Sequence, residues 1–163
     1  MAEMSNLDRA FTTVCSKSMI SQLNPFQIRA ISEFVQGERD LFVNLPTGYG
    51  KSLIYQALPV VFDNLSNSEH VVVVVSPLVN LMKYQVKSLR ALGISAVSLI
   101  SLEEGEVEKV ERALFSHVFG TPESWLKNER WRQILSNPIY TKKLCCIAVD
   151  EAHVIKNWKV LVE

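Results

Sequence analysis

One stretch constrains the fold of this chain more than any other: Leu45-Pro46-Thr47-Gly48-Tyr49-Gly50-Lys51-Ser52. An apolar run precedes it at 41–44, and a helical pattern follows it from Leu53 to Phe62. A strand, a glycine-rich turn, a Lys-Ser pair and a helix, in this order, are typical of a phosphate-binding loop. We therefore expect an α/β fold with a phosphate site at the junction of a strand and a helix.

The residues of the loop fit that chemistry. Gly48 and Gly50 allow the backbone to turn so that successive N–H groups point at phosphate oxygens. Lys51 is expected to reach the β- and γ-phosphates of a nucleotide, and the Ser52 hydroxyl to bind Mg²⁺. The helix N-terminus adds partial positive charge. The full consensus has glycine where this chain has Leu45, so the loop by itself fits both a phosphate site and an ordinary turn.

Length and composition limit the class of protein. The 163 residues, 48% of them hydrophobic, suffice for one globular domain with a core but not for two ordinary domains. Seventeen basic residues balance seventeen acidic ones, so net charge gives no argument for a nucleic-acid partner and none against a small basic groove.

Three observations bear on the compartment. The first four residues have neither a basic segment nor an apolar one, which predicts no signal peptide. The conspicuous apolar run, Val71 to Val75, is far too short to span a membrane. Cys145 and Cys146 are adjacent and Cys15 is distant, which favours reduced thiols over a disulfide framework or a zinc site. The expected location is the nucleus, or else the cytoplasm.

Alternating strands and helices predict a parallel sheet. Strands are predicted at 40–44, 71–75, 96–100, 114–119 and 144–149, and helices at 5–19, 25–35, 53–64, 78–92, 103–112 and 123–135. Several of these strands are unbroken Val, Ile or Leu runs, as expected for strands covered on both faces. The helix at 103–112 is predicted to be exposed and charged. We expect 1–20 to be an N-terminal helical segment and 21–163 to be the main domain.

Polar residues follow several predicted strands. The phosphate loop, Ser76-Pro77, Thr121-Pro122 and Asp150-Glu151 all fall at the carboxyl ends of strands, where parallel sheets bind ligands. Asp150 is suited to hold Mg²⁺, and Glu151 to orient and deprotonate an attacking water. An Asp-Glu pair after an apolar run can also be an ordinary acidic helix start. Its position at the same edge as the phosphate loop favours the functional interpretation.

Gln27 has two interpretations. Asn24 and Pro25 predict a helix start, with Asn24 as N-cap, and Gln27 follows in the first turn. The amide of Gln27 can donate to and accept from the edge of an adenine. A solvated glutamine on a helix is the alternative.

These motifs together resemble those of the superfamily 2 helicases. Asp150-Glu151-Ala152-His153 is similar to the DEAH box, and Leu45–Ser52 resembles the first motif of the same superfamily, which commonly lacks the first glycine. Ser76–Val86 closely resembles the next motif of RecQ helicases, and Thr121-Pro122-Glu123 their strand-contacting motif. Pro25-Phe26-Gln27 resembles their adenine-reading motif.

The resemblance implies a RecA-like lobe that uses ATP and Mg²⁺ to drive 3′ to 5′ translocation on single-stranded DNA and duplex unwinding. It implies that Gln27 contacts adenine and that His153 couples the γ-phosphate state to the DNA-contacting segments. The implied nucleotide-binding residues are Gln27, Thr47, Gly48, Gly50, Lys51 and Ser52, and the implied strand-binding residues are Ser76, Asn80, Gln85 and Thr121. Lys83 and Lys87 are either phosphate neighbours or part of a solvated helix face.

The chain departs from RecQ proteins after the DEAH box. Their aromatic-rich loop is matched here only by Trp158, and a short apolar run at 160–162 could form a strand. We expect a truncated first lobe without the second helicase lobe, unable by itself to unwind DNA. Two other classes stay open: a non-catalytic nucleotide- or nucleic-acid-binding remnant, and a small-molecule kinase with a phosphate loop.

Overall fold

The computed structural model describes residues 4–37 and 39–153. In chain order the elements are α1 (Asn6–Ser18), α2 (Pro25–Gly37), α3 (Lys51–Ser66), β1 (Val71–Val75), α4 (Val79–Ala91), β2 (Ala96–Ser98), α5 (Glu106–Glu111), β3 (His117–Gly120), α6 (Pro122–Lys127), α7 (Glu129–Ile134), α8 (Pro138–Lys143) and β4 (Leu144–Val149). None of the helices within these residues is long and apolar enough to cross a membrane.

The four strands form one parallel sheet in the order β2-β3-β1-β4. In the central strand β1, Val73 pairs with Val118 of β3 on one side and with Ile147 of β4 on the other. Four of the five β1 valines are buried, because helices cover both faces of the sheet. The predicted α/β class and parallel sheet are confirmed.

Alternate residues of β1 enter two different hydrophobic clusters, as the two-residue period of a strand requires. Val72 and Val74 pack with Met82 and Leu89 of α4. Val71 and Val73 pack on the other face, with side chains of α5 to α8 that include Trp131. A third cluster joins α1, α2 and α3. The N-terminal helix is part of this cluster, since Ala10 and Val14 are completely buried in it.

The segment at 40–44 was predicted to be the first strand, and it forms no strand in the structure. Its residues instead line a cavity that β4 also lines. A strand exists only by pairing, and within the described residues nothing lies between this segment and β4 to accept its backbone hydrogen bonds. The apolar run was identified correctly, but its pairing was not.

Three other predictions need correction. Strand β3 begins at His117, not at Leu114, and β2 ends at Ser98. The helix predicted at 123–135 is two helices, because Asn128 leaves the helical conformation and caps α7 through its side chain. Helix α8 was not predicted; Asn137 caps it and Pro138 opens it.

The charged stretch at 103–112 is shorter as a helix than predicted and not fully solvated. Glu106 is buried, accepts a hydrogen bond from the Glu103 N–H and forms an ion pair with Arg90 at 2.8 Å. This contact fastens α5 to α4, and sequence alone carried no distinct signal for it. Two features from the sequence, Trp158 and the apolar run at 160–162, lie outside the described residues.

Candidate nucleotide-binding site

The glycine-rich loop has the backbone conformation that its glycines allow. Gly48 and Gly50 have φ angles of 90° and 73°, in the left-handed region that residues with a Cβ rarely adopt. Gly50 is the N-cap of α3, so Lys51 and Ser52 form the first turn of a 16-residue helix. The N–H groups of such a turn have no intrahelical partner, which leaves them available to an anion.

The start of α2 holds this loop in place. Asn24 and Gln27 form a reciprocal cap, in which the Gln27 N–H donates to Asn24 Oδ1 and the Asn24 N–H donates to Gln27 Oε1, both at 2.9 Å. Asn24 Nδ2 also donates to the Tyr49 carbonyl, and Gln27 Nε2 donates to the Gly50 carbonyl, each at 3.1 Å. Gln27 is buried, so the interpretation as a solvated helix glutamine is wrong. Its contact with adenine stays a prediction.

The acidic pair lies at the carboxyl end of β4. The Asp150 N–H donates to the Val75 carbonyl at 2.9 Å, which aligns it with the end of β1. Glu151 has a φ of 54°, and a side-chain-bearing residue in this region costs about 1–3 kcal/mol, a strain that is concentrated at functional sites. Its carboxylate Oε2 lies 3.2 Å from His153 Nδ1.

Two buried side chains join the acidic pair to the phosphate loop. The Tyr55 hydroxyl lies 3.1 Å from Asp150 Oδ2 and 2.9 Å from Gln85 Oε1, and Gln85 Nε2 donates to Ser52 Oγ at 3.2 Å. Burial, and secondarily the charge of Asp150, raise the pKa of Tyr55 above its usual range, so the phenol stays protonated as a donor. Ser52 and Asp150 are therefore linked although 98 residues separate them in the sequence.

Sequence analysis missed Tyr55. The available signal was its position three residues after Ser52 on a helix, which puts the two side chains on one face. In the sequence, a tyrosine in an apolar stretch is equally typical of an ordinary core residue. Only the structure shows that its hydroxyl reaches across to β4.

A cavity of about 370 Å³ lies beside this group. The segment at 40–44, strand β4, and Lys51 and Tyr55 of α3 all contribute to its lining. Asp150, Glu151 and His153 also line the cavity. The predicted residues Lys51, Asp150, Glu151 and His153 thus share one cavity.

The residues present fit a magnesium nucleotide. Oxygen ligands are those that Mg²⁺ prefers, and the Ser52 hydroxyl and the Asp150 carboxylate supply them. Lys51 supplies the positive charge for phosphate oxygens, and the left-handed glycines leave room for a backbone cradle. Ser52 and Asp150 would hold the cation, and Lys51 and the loop would hold the phosphates.

The predicted strand-binding residues follow β1 and β3 at the same edge, but only one of them is exposed. Asn80 lies on the outer face of α4. Ser76 and Gln85 are buried, and Thr121 is almost so, with its hydroxyl capping α6 through the Ser124 N–H at 3.1 Å. Gln85 in particular faces the first turn of α3, where its Nε2 donates to Ser52 Oγ. The structure therefore brings Gln85 to the proposed cation site rather than to the outer face of its helix.

Comparison with known proteins agrees with this geometry. The model of the DEAD/DEAH box helicase family matches residues 24–162. The chain is 36% identical over 139 residues to the ATP-dependent helicase SGS1 of Saccharomyces cerevisiae, covering 82% of this chain and 9% of that protein. It is 36% identical over 137 residues to the ATP-dependent DNA helicase RecQ of Haemophilus influenzae, covering 81% and 20%.

A third relative covers more of this chain. The putative ATP-dependent DNA helicase Q1 of Caenorhabditis briggsae is 33% identical over 158 residues, which is 93% of this chain and 24% of that protein. The chain thus spans less than a quarter of the length of each of these three relatives. With its parallel α/β sheet, its phosphate loop and its DEAH sequence, the chain belongs to the DEAD/DEAH box helicase family and is RecQ-like within it.

Proposed function

We propose that this chain is the ATP-binding lobe of a RecQ-like DNA helicase, in which ATP hydrolysis drives 3′ to 5′ translocation on single-stranded DNA and unwinding of the duplex. DNA is the proposed partner, the nucleus is the proposed location, and DNA repair or recombination is the proposed context. The polarity and the unwinding role are transferred from the resemblance to RecQ proteins. The nucleotide site itself is supported by the residues of this chain.

One observation carries the proposal. The Lys51-Ser52 pair at the start of α3 and the Asp150-Glu151 pair after β4 lie close together although Ser52 and Asp150 are 98 positions apart in the sequence. Lys51, Asp150 and Glu151 line one cavity, and Tyr55 and Gln85 join Ser52 to Asp150. Each pair alone has an ordinary structural explanation. Their convergence, with Tyr55 bonded to Asp150, has no comparably simple structural explanation.

The chemical roles follow from the side chains. Lys51 would stabilise negative charge on the transferring phosphoryl group, while Ser52 and Asp150 would hold Mg²⁺. Bound Mg²⁺ would supply charge neutralisation between the phosphates. Glu151 would orient the attacking water and accept its proton, and His153, already paired with Glu151, would respond to the state of that carboxylate.

Strand contact is proposed at the adjoining edge. Asn80 is exposed on α4, next to the exposed Lys83 and near Lys87 on the same helix. An amide and two cations on one helix face suit the sugar-phosphate backbone of a single strand. We propose Asn80 as a direct contact and retain Ser76, Gln85 and Thr121 as neighbours of the strand-binding surface.

ATP hydrolysis measured with and without single-stranded DNA tests the function. The proposal predicts turnover that rises on addition of DNA and is lost in Glu151→Gln, which keeps ATP binding. The matched control is Glu104→Gln, which removes an exposed carboxylate in the turn before α5, outside the motifs and the cavity. Hydrolysis that ignores DNA and survives Lys51→Ala and Glu151→Gln would refute the proposal. Binding of both ligands without hydrolysis by the wild type would support the non-catalytic alternative instead.

A further inference from the structure

The Tyr55 hydroxyl has one proton to donate, and two acceptor oxygens lie within hydrogen-bond distance of it. Its hydroxyl lies 2.9 Å from Gln85 Oε1 and 3.1 Å from Asp150 Oδ2, and a phenol can donate fully to only one of them. Tyr55 is 8% exposed and Gln85 6%, so water cannot readily supply a second donor to Gln85 Oε1. Two arrangements of hydrogen bonds are therefore possible around the same side chains.

In the observed arrangement, the bonds run toward Ser52. Tyr55 donates to Gln85 Oε1, and Gln85 Nε2 donates to Ser52 Oγ at 3.2 Å. If Ser52 Oγ holds a cation, one of its two lone pairs is used and the charge of the cation weakens the other as an acceptor from Gln85, while the O–H becomes a stronger donor that needs an acceptor. The observed direction therefore suits a Ser52 hydroxyl that is not a metal ligand.

A half-turn of the Gln85 amide reverses the direction of all these bonds. Ser52 then donates to Gln85 Oε1, Gln85 Nε2 donates to the Tyr55 oxygen, and Tyr55 donates to Asp150. Every polar group in the set has a partner in this second arrangement, as buried polar groups require. The second arrangement needs Tyr55 as both acceptor and donor, which phenylalanine cannot be.

The other end of this network is α4. Gln85 lies on its inner face, while Asn80, Lys83 and Lys87 are exposed on it. At the start of α4 the Leu78 side chain makes no capping hydrogen bond, and the Leu78 N–H donates to Ser76 Oγ at 3.4 Å. The bonds of Gln85 are therefore among the few polar contacts that fix this helix relative to the nucleotide site.

We propose that Tyr55 is a positioning residue that transmits occupancy of the Ser52–Asp150 cation site to α4, and through α4 to the strand-binding surface. This inference rests on the proposed function, because it requires that the chain bind both a magnesium nucleotide and single-stranded DNA. Thermodynamic linkage makes the effect reciprocal: nucleotide changes the affinity for DNA by the same factor as DNA changes the affinity for nucleotide.

The test measures that linkage factor. Anisotropy of a labelled single-stranded oligonucleotide gives its Kd with the 163-residue chain, with and without a non-hydrolysable ATP analogue and Mg²⁺. We expect a factor of about 5 or more for the wild type, the lower end of ordinary allosteric coupling. Tyr55→Phe should bring the factor within about twofold of 1, because the network can no longer change direction. The factor is a ratio of two Kd values of the same variant, so a change in DNA affinity that is equal with and without nucleotide does not alter it.

Tyr140→Phe is the matched control. Tyr140 is also a fully buried tyrosine, and its hydroxyl donates to the Val110 carbonyl in a different hydrophobic cluster. This variant should keep the wild-type factor. If Tyr55→Phe does not fold by circular dichroism, Gln85→Leu interrupts the same network from α4 and should also remove the coupling.

The outcomes separate this inference from the proposed function. A linkage factor that survives in Tyr55→Phe, or that is absent from a wild type binding both ligands, would overturn the role of Tyr55 and leave the proposed function in place. Failure of the wild type to bind the magnesium nucleotide would overturn both. Loss of coupling in Tyr140→Phe as well would show that any lost buried hydroxyl has this effect, and would overturn the assignment to Tyr55.

Discussion

At the residue scale, Gly50 and Gln27 depend on each other. Gln27 Nε2 donates to the Gly50 carbonyl, and a Cβ at Gly50 would clash with that same nitrogen. Gly50 also has a φ of 73°, which disfavours any residue with a side chain. The absence of a side chain here serves both the turn of the loop and the close packing of α2.

We predict that Gly50→Ala loses nucleotide binding and is destabilised by more than the left-handed conformation alone explains. Gly93→Ala is the control, because Gly93 has a φ of 77° and none of the described residues comes within 4 Å of the position that a Cβ would take there. Gly93→Ala should cost about 1–2 kcal/mol in the free energy of unfolding, measured in urea. An equal loss in the free energy of unfolding for the two variants, with nucleotide binding intact in Gly50→Ala, would contradict the packing argument.

The sequence was most informative about individual residues near the phosphate loop and the acidic pair. Lys51, Asp150, Glu151 and His153 were named from short motifs, and all four line the cavity. The sequence could not show that Gln27 and Gln85 are buried, because a glutamine is usually exposed and its burial depends on partners from distant elements. Tyr55 was missed because a buried tyrosine is expected in an apolar helix, and only the fold brings its hydroxyl to Asp150.

At the scale of elements, His117 joins β3 to α3. Its Nε2 lies 2.8 Å from the Gln56 carbonyl and its Nδ1 lies 2.8 Å from Ser116 Oγ. Burial lowers the pKa of His117 to about 4, with the bond to Gln56 opposing this only in part. The imidazole is therefore neutral in the folded protein at neutral pH.

The stability of the fold should therefore fall with acid. The unfolded chain binds a proton at His117 near pH 6.5, while the folded chain does so only near pH 4. The contribution of the neutral His117 to the free energy of unfolding is therefore fully present above pH 6.5 and is lost as the pH falls toward 4. Between pH 7 and pH 5 we expect a loss of about 2 kcal/mol from this residue, measured by urea unfolding. His117→Gln should flatten this dependence. His153→Gln, which removes a largely exposed histidine, should not.

Strand β4 presents apolar side chains to the cavity. Ile147 is 52% exposed and Val149 45%, and Phe42, which also lines the cavity, is 80% exposed. Within residues 4–37 and 39–153, no strand pairs with this side of β4. Exposed apolar edges of this kind promote association and dye binding.

We predict that Ile147→Thr lowers the fluorescence of an apolar dye bound to the protein by at least about half, because it removes an exposed apolar side chain from the strand edge. Ile139→Thr is the control, since Ile139 is 43% exposed on α8, outside the residues lining the cavity. Unchanged dye binding in Ile147→Thr, or an equal decrease in both variants, would contradict the assignment of the apolar surface to β4.

Elements were predicted well where their local pattern is strong. Helix α1, with its capping box at Ser5 and Asp8, and the valine strand β1 agree with the sequence to within one residue. The segment at 40–44 was wrong because strand formation depends on a neighbour in space. The break at Asn128 was missed because a single capping residue divides an otherwise continuous helical period.

At the scale of the whole molecule, a parallel sheet brings motifs that are about 100 positions apart in the sequence to one edge. The order β2-β3-β1-β4 puts the acidic pair directly beside the end of β1, and α3 crosses the same region. The alternation of strands and helices predicted this edge. The contacts that connect Ser52 to Asp150 required the structure.

The central claim is that Lys51 and Asp150 belong to one magnesium nucleotide site, and calorimetric titration with ATP tests it most directly. In Mg²⁺, Lys51→Ala and Asp150→Asn should each weaken binding by at least about tenfold, or about 1.4 kcal/mol. Asp40→Asn, which changes another carboxylate in the lining of the same cavity, should bind as the wild type does. In EDTA, the weakening caused by Asp150→Asn should disappear, whereas that caused by Lys51→Ala should remain. Wild-type ATP affinity in Mg²⁺ for either Lys51→Ala or Asp150→Asn would contradict the account.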